Sequence, residues 1–231
     1  MKKTLLIVAL CATFCACNIP SQHETDATIH PTVEIIFTGD RTISYIKAYP
    51  YPDPAEFLPL LDTMAKSANV QFSYGVITAG SENYFRFKLP YSGGVESKNP
   101  WLANGHPTNR KAAWDTFANQ VRQKLNAPPA PRSNIAASIY HALTIFQEGA
   151  GSTSSKNSAI RKIYIISTDF EDNISHDIPH VPLDIEIYAI GVLPRVPIEK
   201  LLNTTRVKRF ETLQAALDYL ASSSFQITNK N

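Results

Sequence analysis

Apolar positions along the chain follow two periods. Residues 32–38 and 162–167 are dense in Val, Ile, Tyr and Phe and do not alternate strictly with polar residues, and 185–192 is similar. Such runs predict strands buried on both sides. Residues 71–78 alternate through Phe72, Tyr74 and Val76, and 84–89 predicts a short third strand joined to it by a tight turn at Ser81-Glu82-Asn83. Other stretches repeat every three to four residues. Asp53-Pro54-Ala55-Glu56 offers an N-cap, a first-turn proline and a capping-box Glu ahead of Phe57, Leu58, Leu61, Met64 and Ala65. A helix over 108–125 carries Trp114, Phe117, Val121 and Leu125, and the prolines at 128, 129 and 131 stop it. Ser133 is placed to cap a helix through Ile135, Ile139, Leu143 and Phe146. Residues 90–106 and 149–158 predict loops. A short helix at 197–202, a short strand near Phe210 and a last helix at 212–221 complete the pattern. This alternation predicts an α/β fold with a mostly parallel central sheet and helices on both faces. There are no internal repeats.

The N-terminus does not belong to that pattern. Lys2 and Lys3 precede an apolar run and then small residues, the layout of a secretory signal that is too short to span a bilayer. All three cysteines, Cys11, Cys15 and Cys17, lie here, and Cys17 alone follows a small residue, Ala16. The stretch resembles a bacterial lipoprotein signal. That resemblance implies a signal peptide over 1–16, a lipid anchor on Cys17 and a polar tether over 17–31. The globular domain would span 32–223 and a tail 224–231. It further implies a membrane-anchored protein of the bacterial cell envelope, whose mature chain has no disulfide. Without Lys2 and Lys3 the 22 basic residues become 20, equal to the 20 acidic ones. That balance argues against a nucleic-acid partner.

The chemistry concentrates at strand ends. The first strand runs into Asp40-Arg41-Thr42-Ile43-Ser44, the fourth ends in Thr168-Asp169, and Ser133 follows a loop at the start of a helix. In an open parallel sheet such positions meet at the carboxyl edge, where strand order reverses. Asp40, Thr42, Ser44, Ser133 and Asp169 offer oxygen donors only. They suit Mg²⁺ or Mn²⁺, with Ca²⁺ possible, rather than zinc. Plainer roles exist for each: Asp40 as a turn cap, Ser133 as a helix N-cap, His141 as a packed or surface residue. His176 and His180 flank Asp177 in what reads as a solvated loop. Tyr45, Tyr49 and Tyr51 read as packing over the first helix or as the rim of a binding surface, and Tyr91 and Trp101 in the 90–106 loop carry the same two readings.

These residues resemble the von Willebrand factor A-type (vWA) family, a Rossmann-like α/β fold. Its metal-ion-dependent adhesion site (MIDAS) has D-x-S-x-S after the first strand, a Thr on a second loop and an Asp after the fourth strand. Here Thr42 replaces the first Ser, Ser133 takes the Thr position and Phe170 stands where a Gly follows the Asp. Ile187 to Val192 is similar to the family's fifth strand. The resemblance covers about residues 32–223. It implies a non-enzymatic module that binds a protein partner, whose carboxylate completes the coordination of the metal. Thr42 and Ser44 would hold that metal directly, Ser133 directly or through water, and Asp40 and Asp169 mostly through water. A vWA scaffold without metal is the main alternative. A phosphatase of the haloacid dehalogenase type would need a second Asp where Thr42 stands, and no G-x-S-x-G, H-E-x-x-H or phosphate-binding glycine loop occurs.

Overall fold

The computed structural model describes residues 30–79, 84–92, 107–152, 160–170 and 177–224. Six strands form one sheet: β1 (Thr32–Asp40), β2 (Asn69–Ile77), β3 (Tyr84–Leu89), β4 (Ile160–Ser167), β5 (Ile185–Ile190) and β6 (Val207–Phe210). Their order is β3-β2-β1-β4-β5-β6, and only β3 runs antiparallel. From the central β1 the chain first builds outward through β2 and β3. It then crosses back to lay β4 on the other side of β1. The strand order therefore reverses between β1 and β4, and the carboxyl ends of those two strands flank the crevice.

The helices are α1 (Ile43–Ala48), α2 (Leu58–Ala65, entered through a 3₁₀ turn at Pro54–Phe57), α3 (Pro107–Leu125), α4 (Ile135–Ser152), α5 (Ile198–Leu201) and α6 (Leu213–Ser224). All nine residues of β1 are buried, because both of its faces are covered. Val33, Ile35 and Phe37 pack with Leu61, Phe117, Val121 and Leu217 in one core layer. Ile36 packs on the opposite face with Ile135, Ile139, Phe146 and Tyr164. The predicted capping box forms. Asp53 Oδ1 accepts from the Ala55 N–H, and Glu56 Oε1 accepts from the Asp53 N–H, both at 2.8 Å. Arg122 of α3 then pairs with the same Asp53 at 2.8 Å, tying α3 to the start of α2.

Several expectations change. The six-residue α1 was not foreseen: β-branched Ile43 and Ile46 make it a poor helix former, and it holds because Tyr45 is buried beneath it. The N-cap of α4 is Asn134, whose Oδ1 accepts from the Ala137 N–H at 2.9 Å, and not Ser133. The same helix continues through 149–152, where a Gly/Ser loop was expected. β1 extends to Asp40 rather than stopping at Thr38. The turn at 81–83, most of the 90–106 loop with Trp101, and the signal, anchor and tether of the N-terminus lie outside the described residues. Among the described residues, no helix is long and apolar enough to cross a membrane.

Candidate metal centre

Asp40 is the last residue of β1, one position past the final β1–β4 pair, Gly39 with Ser167. It is only 1% exposed. Its Oδ1 accepts from the Thr42 N–H at 2.8 Å, and its Oδ2 accepts from Thr168 Oγ1 at 3.1 Å. Asp40 therefore does make the turn that the plainer reading gave it, and it also ties β1 to the end of β4. Burial pushes its carboxyl above the usual carboxylate range. Bonds from Thr42 and Thr168 draw it back, and the nearby charge of Asp169 adds to the rise.

Thr42 is the N-cap residue of α1, yet its hydroxyl makes no capping bond. Instead Thr42 Oγ1 lies 3.4 Å from Ser44 Oγ. Ser44, in the first turn of α1, is exposed while Thr42 is buried. The two hydroxyls thus converge beside Asp40, one turned inward and one reaching solvent. Asp169 follows β4 and is partly exposed; its charge is felt at both Asp40 and Tyr45. Ser133 is 1% exposed. The Ala130 N–H donates to Arg41 O and the Asn134 N–H donates to Thr78 O, both at 3.0 Å, so its connection is laced to the exits of β1 and β2. All five expected residues are at one sheet edge. The structure joins Asp40, Thr42 and Ser44 by short contacts, puts Asp169 within electrostatic reach, and holds Ser133 on the neighbouring connection.

Three residues that support this edge were not singled out for it by the sequence. Arg41 is buried, and its guanidinium donates to the carbonyls of Lys124 (2.8 Å), Leu125 and Ala127. It therefore closes the carboxyl end of α3, whose last carbonyls lack helical donors, and fixes the Asp40–Ser44 turn to the connection that carries Ser133. Tyr45 donates to Ile190 O at 3.2 Å and lies 2.8 Å from Ser167 Oγ, anchoring α1 to β4 and β5. Gly191 has φ +72°, and a Cβ there would come 2.5 Å from Tyr45 Oη. Tyr51 Oη lies 3.1 Å from Gly39 O and 2.8 Å from Gly75 O, bridging β1 and β2 just before the site. The tyrosine cluster is thus packing at the base of the site, with Tyr45 and Tyr49 stacked 4.8 Å apart.

The donor chemistry fits a hard divalent cation. Cis oxygens on an octahedral Mg²⁺ are about 3.0 Å apart, and those on the larger Ca²⁺ about 3.3–3.7 Å. The Thr42–Ser44 separation of 3.4 Å therefore fits the larger ion and needs a few tenths of an ångström of closure for the smaller. Against that, both oxygens of Asp40 already accept protein hydrogen bonds. Phe170 takes a left-handed φ of 62°, the conformation for which a glycine is suited. Its N–H donates to Thr168 Oγ1 at 3.1 Å, so the strained turn holds the threonine that holds Asp40. Among the described residues no three His, Cys, Asp or Glu side chains cluster as a metal-binding group. His141 is exposed on α4 against Tyr140, and His176 lies outside the described residues.

No family model matches the sequence, and no curated protein matches it. Solved structures do resemble the chain. The SpRpn10 VWA domain shares 9% identity at a TM-score of 0.45, over 84% of this chain and 95% of that one. The von Willebrand factor type A protein from Catenulispora acidiphila shares 15% at 0.46, over 87% of this chain and 44% of that one. Proximal thread matrix protein 1 from the mussel byssus, with a zinc-occupied MIDAS motif, shares 12% at 0.39, over 84% and 46%. At these values the likeness is one of shape, and the site must be judged by this chain's own residues. On its own strand order the chain has an α/β fold built on a mostly parallel sheet, with its candidate site at the carboxyl edge of β1 and β4.

Proposed function

We propose that this chain is a non-enzymatic, vWA-like protein-binding module that uses a divalent cation at the carboxyl edge of its sheet. The observation that supports this most is the Thr42 hydroxyl, turned away from capping its own helix and toward Ser44 beside a buried Asp40. Thr42, Ser44 and Ser133 would hold the ion through hydroxyl oxygens, and Asp40 and Asp169 would hold its waters. When bound, the ion supplies an electrophilic centre for a carboxylate of a partner protein. Arg41 and Tyr45 keep the turn in place whether or not the ion is present. We place the module in a bacterial cell envelope, held to the membrane by a lipid on Cys17. Mg²⁺ or Mn²⁺ would draw the Thr42 and Ser44 hydroxyls together by a few tenths of an ångström, and Ca²⁺ would fit their separation as it stands.

The engagement of both Asp40 oxygens supports a second reading, in which the fold serves as a scaffold without metal. Capture of envelope proteins in Mg²⁺ and in EDTA, with wild type and Asp40→Ala, separates the two. Partners lost in EDTA and in the variant support the metal-dependent module. Partners retained in both conditions support the scaffold.

A further inference from the structure

Glu34 lies in the middle of β1 within an otherwise apolar run. Pairing across the sheet aligns it with Gln71 and Lys88 on one side and Lys162 on the other. It is 5% exposed, and its Oε2 has no hydrogen-bond partner among the described residues. The neighbouring cations are engaged elsewhere or face solvent. Lys162 Nζ donates to Asp184 at 2.8 Å, Arg86 pairs with Glu148 at 2.7 Å, and Lys88 is exposed. Glu34 lines a 290 Å³ cavity between α4 and the edge strand β3, with Ile145 and Phe146 on one wall and the half-exposed Arg86–Glu148 pair at its rim. Six residues of strand separate it from Asp40, about 20 Å, so this pocket is independent of the metal centre.

We propose that the pocket binds a primary ammonium group on an aliphatic stem, either a lysine side chain or a free alkylamine. A carboxylate withdrawn from water without a partner is unfavourable. Burial accordingly raises the Glu34 carboxyl, although Lys162, Arg86 and Lys88 pull it the other way. Lys162, Arg86 and Lys88 act on the charge only from a distance, and a neutral donor would satisfy Oε2 without adding to them, whereas an ammonium group supplies a hydrogen bond and a charge at contact. Ile145 and Phe146 offer the stem an apolar wall, and the cavity has room for several methylenes.

The test is ligand-detected NMR titration of the full-length protein in non-ionic detergent and amine-free buffer. The probes are n-butylammonium chloride and n-butanol, each with wild type and Glu34→Gln. Butylammonium should bind wild type, butanol should not, and Glu34→Gln should bind at least about tenfold more weakly. A second variant, Gln71→Lys, places an ammonium in the same row and should block the probe while raising Tm. Nα-acetyl-lysine N-methylamide binding more tightly than butylammonium would assign the pocket to peptide-borne lysine. Equal or weaker binding would assign it to free amines. Absence of butylammonium binding, equal binding of butanol, or unchanged binding in both variants overturns the proposal.

Discussion

Replacing Asp40 by Asn should stabilise the metal-free protein and abolish its response to metal. The wild-type carboxylate is 1% exposed and accepts from the Thr42 N–H at 2.8 Å and Thr168 Oγ1 at 3.1 Å. Asparagine keeps Oδ1 as an acceptor. Its amide can donate to Thr168 Oγ1, which already accepts from the Phe170 N–H and must then turn its own proton away from residue 40. The main change is the loss of a charge from a site shielded from water and close to Asp169. Burial raises the folded pKa of Asp40, so within that window the folded state binds more protons than the unfolded chain. The contribution of this group to stability therefore falls as pH rises from the usual carboxylate range through the raised folded value. The variant escapes that loss and should be the more stable protein in EDTA, by the roughly 0.5–2 kcal/mol that a single stabilising substitution commonly yields. For a domain of this size that is about 1–8 °C in Tm. Metal reverses the order, since a ligand at 100 times its Kd stabilises by about 2.7 kcal/mol and the variant cannot bind it. Thermal melts of both full-length proteins in EDTA and in excess Mn²⁺ should therefore cross. A variant less stable than wild type in EDTA refutes the electrostatic reasoning, and an equal shift with metal in both proteins refutes the site.

Other outcomes follow from the packing at the site and at the opposite end of the sheet. Arg41→Met leaves three carbonyls at the end of α3 without their charged donor. It should cost about 2–4 kcal/mol by urea unfolding, and a loss within error would show that the clasp is dispensable. Gly191→Ala forces a Cβ toward Tyr45 Oη at a left-handed φ. It should cost about 2–3 kcal/mol, partly relieved when combined with Tyr45→Phe; strict additivity in that double-mutant cycle contradicts the contact. Arg161 bonds Glu186 through two nitrogens at 2.8 and 2.9 Å. Burial pushes the Glu186 carboxyl up, but the bonds from Arg161 outweigh it and hold the group below its usual value. The pair's contribution is present above the unfolded pKa and fades as pH falls through the lowered folded one. The pair is only partly buried, so Arg161→Met should cost about 1–3 kcal/mol at neutral pH and flatten the acid limb of the stability curve; an unchanged limb counts against the pairing.

Much of the fold can be read from periodicity because β1, β4 and β5 are covered on both faces and their apolar runs have no competing explanation. The capping box at Asp53 is equally local and formed as expected. What escaped the sequence depends on distant neighbours. The helix α1 is held by Tyr45 reaching Ile190, 145 residues away. The choice of Asn134 over Ser133 as N-cap lies between two adjacent residues of similar capping strength. It is set with the Asn134 N–H held on Thr78 O. Arg41 lies between two candidate site residues with no local signal of its own, because its carbonyl partners lie 83 to 86 residues on. Glu34 was hidden by the apolar run around it. At the site, residue types and a strand end pointed to Asp40, Thr42 and Ser44, which share one turn in the structure. The second hydrogen bond to Asp40, from Thr168, and the left-handed turn at Phe170 required the three-dimensional arrangement.

The most direct test of the account is calorimetric titration of the full-length protein with Mn²⁺ and Mg²⁺ in acetate, which supplies a carboxylate in place of the partner's, beside the Asp40→Asn variant. Wild type should show one strong site and the variant none. A folded wild-type protein that takes up neither ion, or a variant that binds as well as wild type, would contradict a metal centre at Asp40.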